Sequence, residues 1–122
     1  MAGLVLLIED EVNIAEAIRF ILARDGWRVE VETDGAAALG RVAALMPDLV
    51  ILDLMLPGMS GLEILSALRA NASTAALPIM MLTAKGQGRD REAAERAGVS
   101  AFMTKPFSNA DMRAQVRALL GA

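Results

Sequence analysis

The sequence holds no cysteine and no histidine in 122 residues. Without thiols there are no disulfides, no thiolate metal sites and no dithiol redox motif. Without imidazole, the commonest general base and zinc ligand is missing. This composition is compatible with a reducing cytoplasm, and a cytoplasmic protein is the expectation. Long apolar runs are also missing: Leu4–Ile8 is too short for a membrane span and has no basic flank, so it reads as a strand rather than a signal peptide, and no membrane association is expected. Neither G-x-G-x-x-G nor G-x-x-x-x-G-K-[ST] occurs, which argues against dinucleotide and P-loop chemistry. Basic residues form no patch. The 12 Lys and Arg are scattered against 15 Asp and Glu, so direct nucleic-acid binding by this chain is not expected.

What is present is apolar and regularly interrupted. Hydrophobic residues make up 55% of the chain, enough for one core, and the length suits a single domain over 1–122. Strand-like runs alternate five times with amphipathic helical segments, which predicts an α/β domain with a parallel sheet. Strands are expected at 4–8, 28–32, 48–53, 78–83 and 100–104, and helices at 12–25, 35–46, 61–71, 88–97 and 108–120. The first, third and fourth strands are apolar without alternation, as in strands covered on both faces. Arg28-Val29-Glu30-Val31-Glu32 alternates, as an edge strand does.

The helices read mainly as scaffold. The first presents Ile14, Ala17, Ile18, Ile21 and Leu22 on one face and stops at Gly26. Trp27 reads as packing at a helix–strand junction. The Asp34-Gly35 turn opens an Ala-rich second helix to which no site is assigned. Ser60 and Glu63 have the spacing of a capping box ahead of Leu62, Ile64, Leu65 and Leu68.

Four strands end in polar groups. The first runs into Glu9-Asp10-Glu11, the third ends at Asp53, the fourth at Thr83, and the fifth runs into Lys105. Taken singly, each has a plain explanation in helix capping, local hydrogen bonding or a solvated charge. Together they lie on the carboxyl edge of an open sheet, where ligands bind. Carboxylates about 4 Å apart repel by roughly 4 kcal/mol per pair at an effective dielectric near 20, so such a cluster needs cations. Lys105 offers one. A hard divalent ion offers another, and Mg²⁺ suits few carboxylates, a carbonyl and waters better than Ca²⁺. An ionised Asp53 beside Mg²⁺, Lys105 and Thr83 is equipped to take up a phosphoryl group, a reaction governed by positioning and charge neutralisation.

The combination of Glu9-Asp10, Asp53 followed by Pro57 and Gly61, Thr83-Ala84 and Lys105-Pro106-Phe107 resembles the receiver domain of response regulators, the CheY-like family. The resemblance spans essentially the whole chain. It implies a doubly wound (βα)5 fold with strand order 2-1-3-4-5, and phosphorylation of Asp53 by a histidine kinase or phosphotransfer protein. It also implies Mg²⁺ held by Glu9, acting largely through water, with Asp10, Asp53 and the Met55 carbonyl, and a cis peptide between Lys105 and Pro106. Thr83 and Phe102 would form the switch, Phe102 standing where the family carries its switch aromatic. Their movement would remodel the face of helix four, strand five and helix five to control an output domain or partner protein. Such a domain is a signalling switch that catalyses only its own phosphorylation and dephosphorylation.

The phrases E-D-E, L-T-A-K-G and K-P-F-S further resemble the branch whose receivers precede winged-helix DNA-binding domains. The resemblance allows a homodimer on phosphorylation, but Ser100-Ala101 replace the acidic pair with which that branch bridges its dimer face. Met55 and Lys85 would border the path of water to an acyl phosphate. The alternative is a pseudo-receiver, a phosphorylation-independent interaction module, against which the intact Asp53, Asp10 and Lys105 argue. An aspartyl-phosphate phosphatase or mutase would want a second Asp where Met55 stands. A flavin module would want a first loop that is not acidic.

Overall fold

A computed structural model describes residues 3–84 and 88–121. Five strands, β1 (Leu4–Ile8), β2 (Arg28–Glu32), β3 (Leu49–Asp53), β4 (Ile79–Ala84) and β5 (Ala101–Lys105), alternate with α1 (Val12–Arg24), α2 (Ala38–Leu45), α3 (Gly61–Ala70), α4 (Gly88–Ala97) and α5 (Asn109–Leu120). The strands form one sheet in the order β2-β1-β3-β4-β5, and every pairing is parallel. This is the flavodoxin-like, doubly wound order that the resemblance implies. Its switch point lies between β1 and β3, where successive crossovers leave on opposite faces and open a crevice at the strand carboxyl ends.

Alternation along each strand sends neighbouring side chains to opposite faces, so a wholly apolar strand feeds two cores. Val5, Leu7, Leu49, Ile51, Met80 and Leu82 pack with Ile18, Leu22, Met112 and Val116 beneath α1 and α5. Leu6, Ile8, Val50, Leu52, Ile79 and Met81 pack on the other face with Val42, Ile64, Leu65 and Ala94 from α2, α3 and α4. β2 is less buried, as its alternating sequence predicts.

Several expected details shift. In α1 the buried small residue is Ala15, and Ala17 is exposed. Ala15, Ile18 and Leu22 form the row that meets the sheet. The second helix starts with a 3-10 turn at Gly35–Ala37, where Asp34 accepts from the Ala36 amide, and closes at Met46 in the left-handed region. β3 begins at Leu49 because Asp48 lies outside the ladder, its carboxylate accepting from the Leu4 amide at 2.8 Å. β5 starts one residue late. Ser100 sits at its mouth, donating its amide to Ile79 O at 2.9 Å and accepting from Ile79 N on Oγ at 3.0 Å. Trp27 is half-buried against the first core, and the Ser60–Glu63 capping box forms in full. Asp25 receives Arg113 at 2.8 Å and Arg117 at 3.3 Å, tying α1 to α5.

Candidate functional site

The strand register brings the polar ends together. Ile8 pairs with Leu52, so Glu9 leaves β1 level with Asp53, the last residue of β3. Asp53 pairs with Leu82, Thr83 with Thr104 and Ala84 with Lys105, so Thr83 and Lys105 lie one and two residues beyond the level of Asp53 at the same sheet edge. A short apolar strand holds each group at a fixed height. None depends on a flexible loop for its position.

Lys105 is the hub. Its Nζ lies 2.9 Å from Glu9 Oε1, 3.3 Å from Asp53 Oδ1 and 3.8 Å from Glu11 Oε1. Glu9 is fully buried, and Asp53 and Thr83 are buried almost as completely. The second oxygen of Glu9 accepts from the Glu11 amide at 3.1 Å. Burial is the largest influence on Glu9 and raises its pKa from the ordinary 4.5 to about 7; Lys105 and the Glu11 amide oppose the rise, and Asp53 adds to it. Burial also works against the charge on Lys105. The contacts with Glu9 and Asp53 outweigh it and raise the Lys105 pKa above its ordinary value.

Glu9, Asp10 and Asp53 each offer a carboxylate oxygen, and these oxygens lie within 4.8 Å of one another. Two of the acids are buried and Asp10 is exposed, so the cluster opens to solvent on one side. Hard oxygen donors with one open side fit Mg²⁺, which retains several waters, and Lys105 leaves the cluster short of full neutralisation. The third expected strand-end group, Thr83, is buried and donates from Oγ1 to Ala84 O at 3.4 Å. Met55 follows Asp53 in the next loop with its side chain largely exposed. Phe102 is half-buried on β5 beside the second core, with the Arg91 guanidinium 5.5 Å from its ring centre. The Lys105–Pro106 peptide is cis. Lys85 lies outside the described residues.

The sequence pattern of the response regulator receiver domain matches residues 5–117. The chain belongs to that family. The receiver is 40% identical over 116 residues to the sensory transduction protein RegX3 of Mycobacterium tuberculosis, covering 95% of this chain and 50% of RegX3. It is 37% identical over 120 residues to the phosphate regulon transcriptional regulatory protein PhoB of Klebsiella pneumoniae, covering 98% of this chain and 52% of PhoB. The chain thus spans about half the length of these curated relatives. Among solved structures, a putative response regulator from Chloroflexus aurantiacus superposes with a TM-score of 0.95 at 30% identity over 100% of both chains. The BeF3-activated N-terminal receiver domain of Klebsiella pneumoniae RstA superposes with a TM-score of 0.91 at 28% identity, covering 98% of this chain and 100% of that one. The receiver is therefore a signalling switch of the two-component kind. Among its described residues no helix is long and apolar enough to cross a membrane.

Two features of the site were not expected from the sequence. Glu11, which reads as ordinary first-turn chemistry, lies within reach of Lys105. The end of β2 and the turn after it, which opens the helix to which no site was assigned, contact both loops that carry the acids, Glu32 O accepting from the Glu9 amide and the Gly35 amide donating to Pro57 O. The run of three acids was the available signal for Glu11. The Asp34-Gly35 pair was the available signal for the turn.

Proposed function

We propose that the receiver takes a phosphoryl group onto Asp53 from the phosphohistidine of a histidine kinase or phosphotransfer protein, in a Mg²⁺-dependent reaction, and passes the signal on by changing shape. The observation that carries this reading is Lys105 Nζ standing 3.3 Å from Asp53 Oδ1 at the rim of a three-carboxylate cluster. An Asp53 oxygen forms the new bond to phosphorus as the donor's phosphorus–nitrogen bond breaks. Asp53 needs no base, because an ionised carboxylate is already a nucleophile. Lys105 holds Asp53 in place and pairs with a phosphoryl oxygen as charge develops there. Glu9 holds Lys105 from behind. Glu9, Asp10, Asp53 and the Met55 carbonyl would hold Mg²⁺, which when bound neutralises charge on the phosphoryl oxygens.

The modification adds about −1.5 to −2 charges. Thr83 and Lys105 then have a partner that only the phosphorylated state offers, and a differential contact of this kind is what shifts a two-state equilibrium. Thr83 Oγ1, which donates to Ala84 O, would turn to a phosphoryl oxygen. Phe102, across the strand pair from Met81, moves into the space released and carries Arg91 of α4 with it. The face of α4, β5 and α5 would present this change to an output domain, which in relatives of the PhoB kind we take to be a winged-helix DNA-binding module. A cytoplasmic setting follows from such partners.

Intact mass after incubation with acetyl phosphate and Mg²⁺ tests the proposal. Wild type should gain one phosphoryl group, and Asp53→Asn none. No gain by wild type with Mg²⁺ present would favour a pseudo-receiver and refute the reading.

A further inference from the structure

We propose that Gly35, in the turn between β2 and α2, is a positioning residue that sets the geometry of the cation and phosphoryl site; this rests on the function proposed above. The turn contributes no carboxylate to the cluster, yet it bridges both loops that do. On one side the Glu9 amide donates to Glu32 O at 3.0 Å, and the Glu32 carboxylate accepts from the Asp34 amide at 3.0 Å. On the other, the Gly35 amide donates to Pro57 O at 3.0 Å, gripping the loop between Asp53 and α3.

The grip leaves no room for a side chain. A Cβ on Gly35 would fall inside contact distance of Met59 O, 2.8 Å from Pro57 O and 3.0 Å from Met59 N, all backbone atoms that cannot rotate away. Gly35 does not adopt a left-handed φ, so alanine costs nothing in backbone conformation there; only the facing loop excludes it. The facing loop is fitted in return. Gly58 has φ +83°, and a Cβ there would lie 2.7 Å from Asp34 Oδ1, the oxygen that also accepts from the Ala36 amide at 2.9 Å.

At its far end the loop is pinned by Gly61, whose amide donates to Leu54 O at 2.9 Å and whose missing Cβ makes room for Asp53 O. Fixed there and pressed at Pro57–Met59, the loop that carries the Met55 carbonyl has its position set by how closely Gly35 approaches, while Asp53 stays on β3. A methyl group on Gly35 pushes the loop outward and shifts the Met55 carbonyl relative to the carboxylates of Glu9, Asp10 and Asp53. The buried faces of the sheet are untouched.

Calorimetric titration with Mg²⁺ alone tests this, on wild type, Gly35→Ala, Asp34→Ala and Gly40→Ala. Gly35→Ala should weaken Mg²⁺ binding about tenfold, the usual cost of disturbing the supports of metal ligands. Asp34→Ala, which loosens the turn without adding atoms, should weaken it less. Gly40→Ala should match wild type, since a Cβ there meets nothing within 4 Å among the described residues. Phosphorylation of Gly35→Ala by acetyl phosphate should recover toward the wild-type rate at saturating Mg²⁺, a recovery that general loosening of the fold would not produce.

A Gly35→Ala protein that melts earlier but keeps the wild-type Kd for Mg²⁺ overturns the positioning role alone. Where Gly35→Ala does not fold, an unchanged Kd in Asp34→Ala overturns it equally. A wild type that binds no Mg²⁺ refutes the metal assignment and this inference together.

Discussion

Glu9→Gln should change how stability depends on pH, in a direction set by burial. The Glu9 carboxylate is fully enclosed, and burial raises its pKa from the ordinary 4.5 to about 7 despite Lys105 at 2.9 Å. The folded chain therefore keeps this proton through a window in which the unfolded chain has released it. Folding stability falls as pH rises between those two values, and Glu9 contributes no slope outside them. At about 1.36 kcal/mol per pH unit, the span from 4.5 to about 7 corresponds to about 3 kcal/mol. Gln is neutral and nearly the same shape, so it mimics the protonated state at every pH. The measurement is urea unfolding without metal from about pH 4.5 to about pH 8, followed by emission of the single Trp27. Wild-type stability minus that of Glu9→Gln should fall by about 3 kcal/mol across the series. Mg²⁺ should then stabilise wild type more than the variant at about pH 8, because it binds the ionised carboxylates. A difference that stays flat or rises with pH would refute the argument.

Ser60→Ala removes the oxygen that accepts from the Glu63 amide at 3.3 Å, and should cost about 1 kcal/mol by urea unfolding; no loss would mean that α3 does not depend on its capping box. Arg69→Met deletes donors to Gly98 O at 2.8 Å, Thr74 O at 3.1 Å and Ser100 Oγ at 3.2 Å. It should cost about 1–3 kcal/mol and speed amide exchange between α4 and β5, where wild-type exchange rates would count against an anchoring role for Arg69. Met55→Asn replaces a largely exposed apolar side chain two residues beyond Asp53 with a polar one; if Met55 borders the path of water to Asp53, the acyl phosphate should be lost faster in the variant. Equal phosphate-release rates for the two proteins would dismiss that role.

Much of this architecture was legible because burial on two faces erases alternation. Leu4–Ile8 and Leu49–Leu52 have no polar side to show, and they form β1 and the body of β3 in the sheet centre, whereas the alternating Arg28–Glu32 is an edge strand. The strand-end chemistry was legible for a related reason: an apolar run ending in an acid, a hydroxyl or a lysine announces a group held at a fixed height. The face of α1 was less so. Ala15 and Ala17 border the same stripe, and only the rotation of α1 against the sheet and α5 buries the former.

By itself, then, the sequence determined the number and order of elements, the depth of each strand and the kinds of group at the sheet's carboxyl edge, because these follow from local periodicity and from where apolar runs stop. Distances between distant segments belonged to the tertiary structure. It set Lys105 between Glu9 and Asp53, brought Glu11 into reach and seated Gly35 against Pro57 and Met59. Such contacts depend on strand register and on how closely two backbones approach, and neither is written in the spacing of residues along one chain.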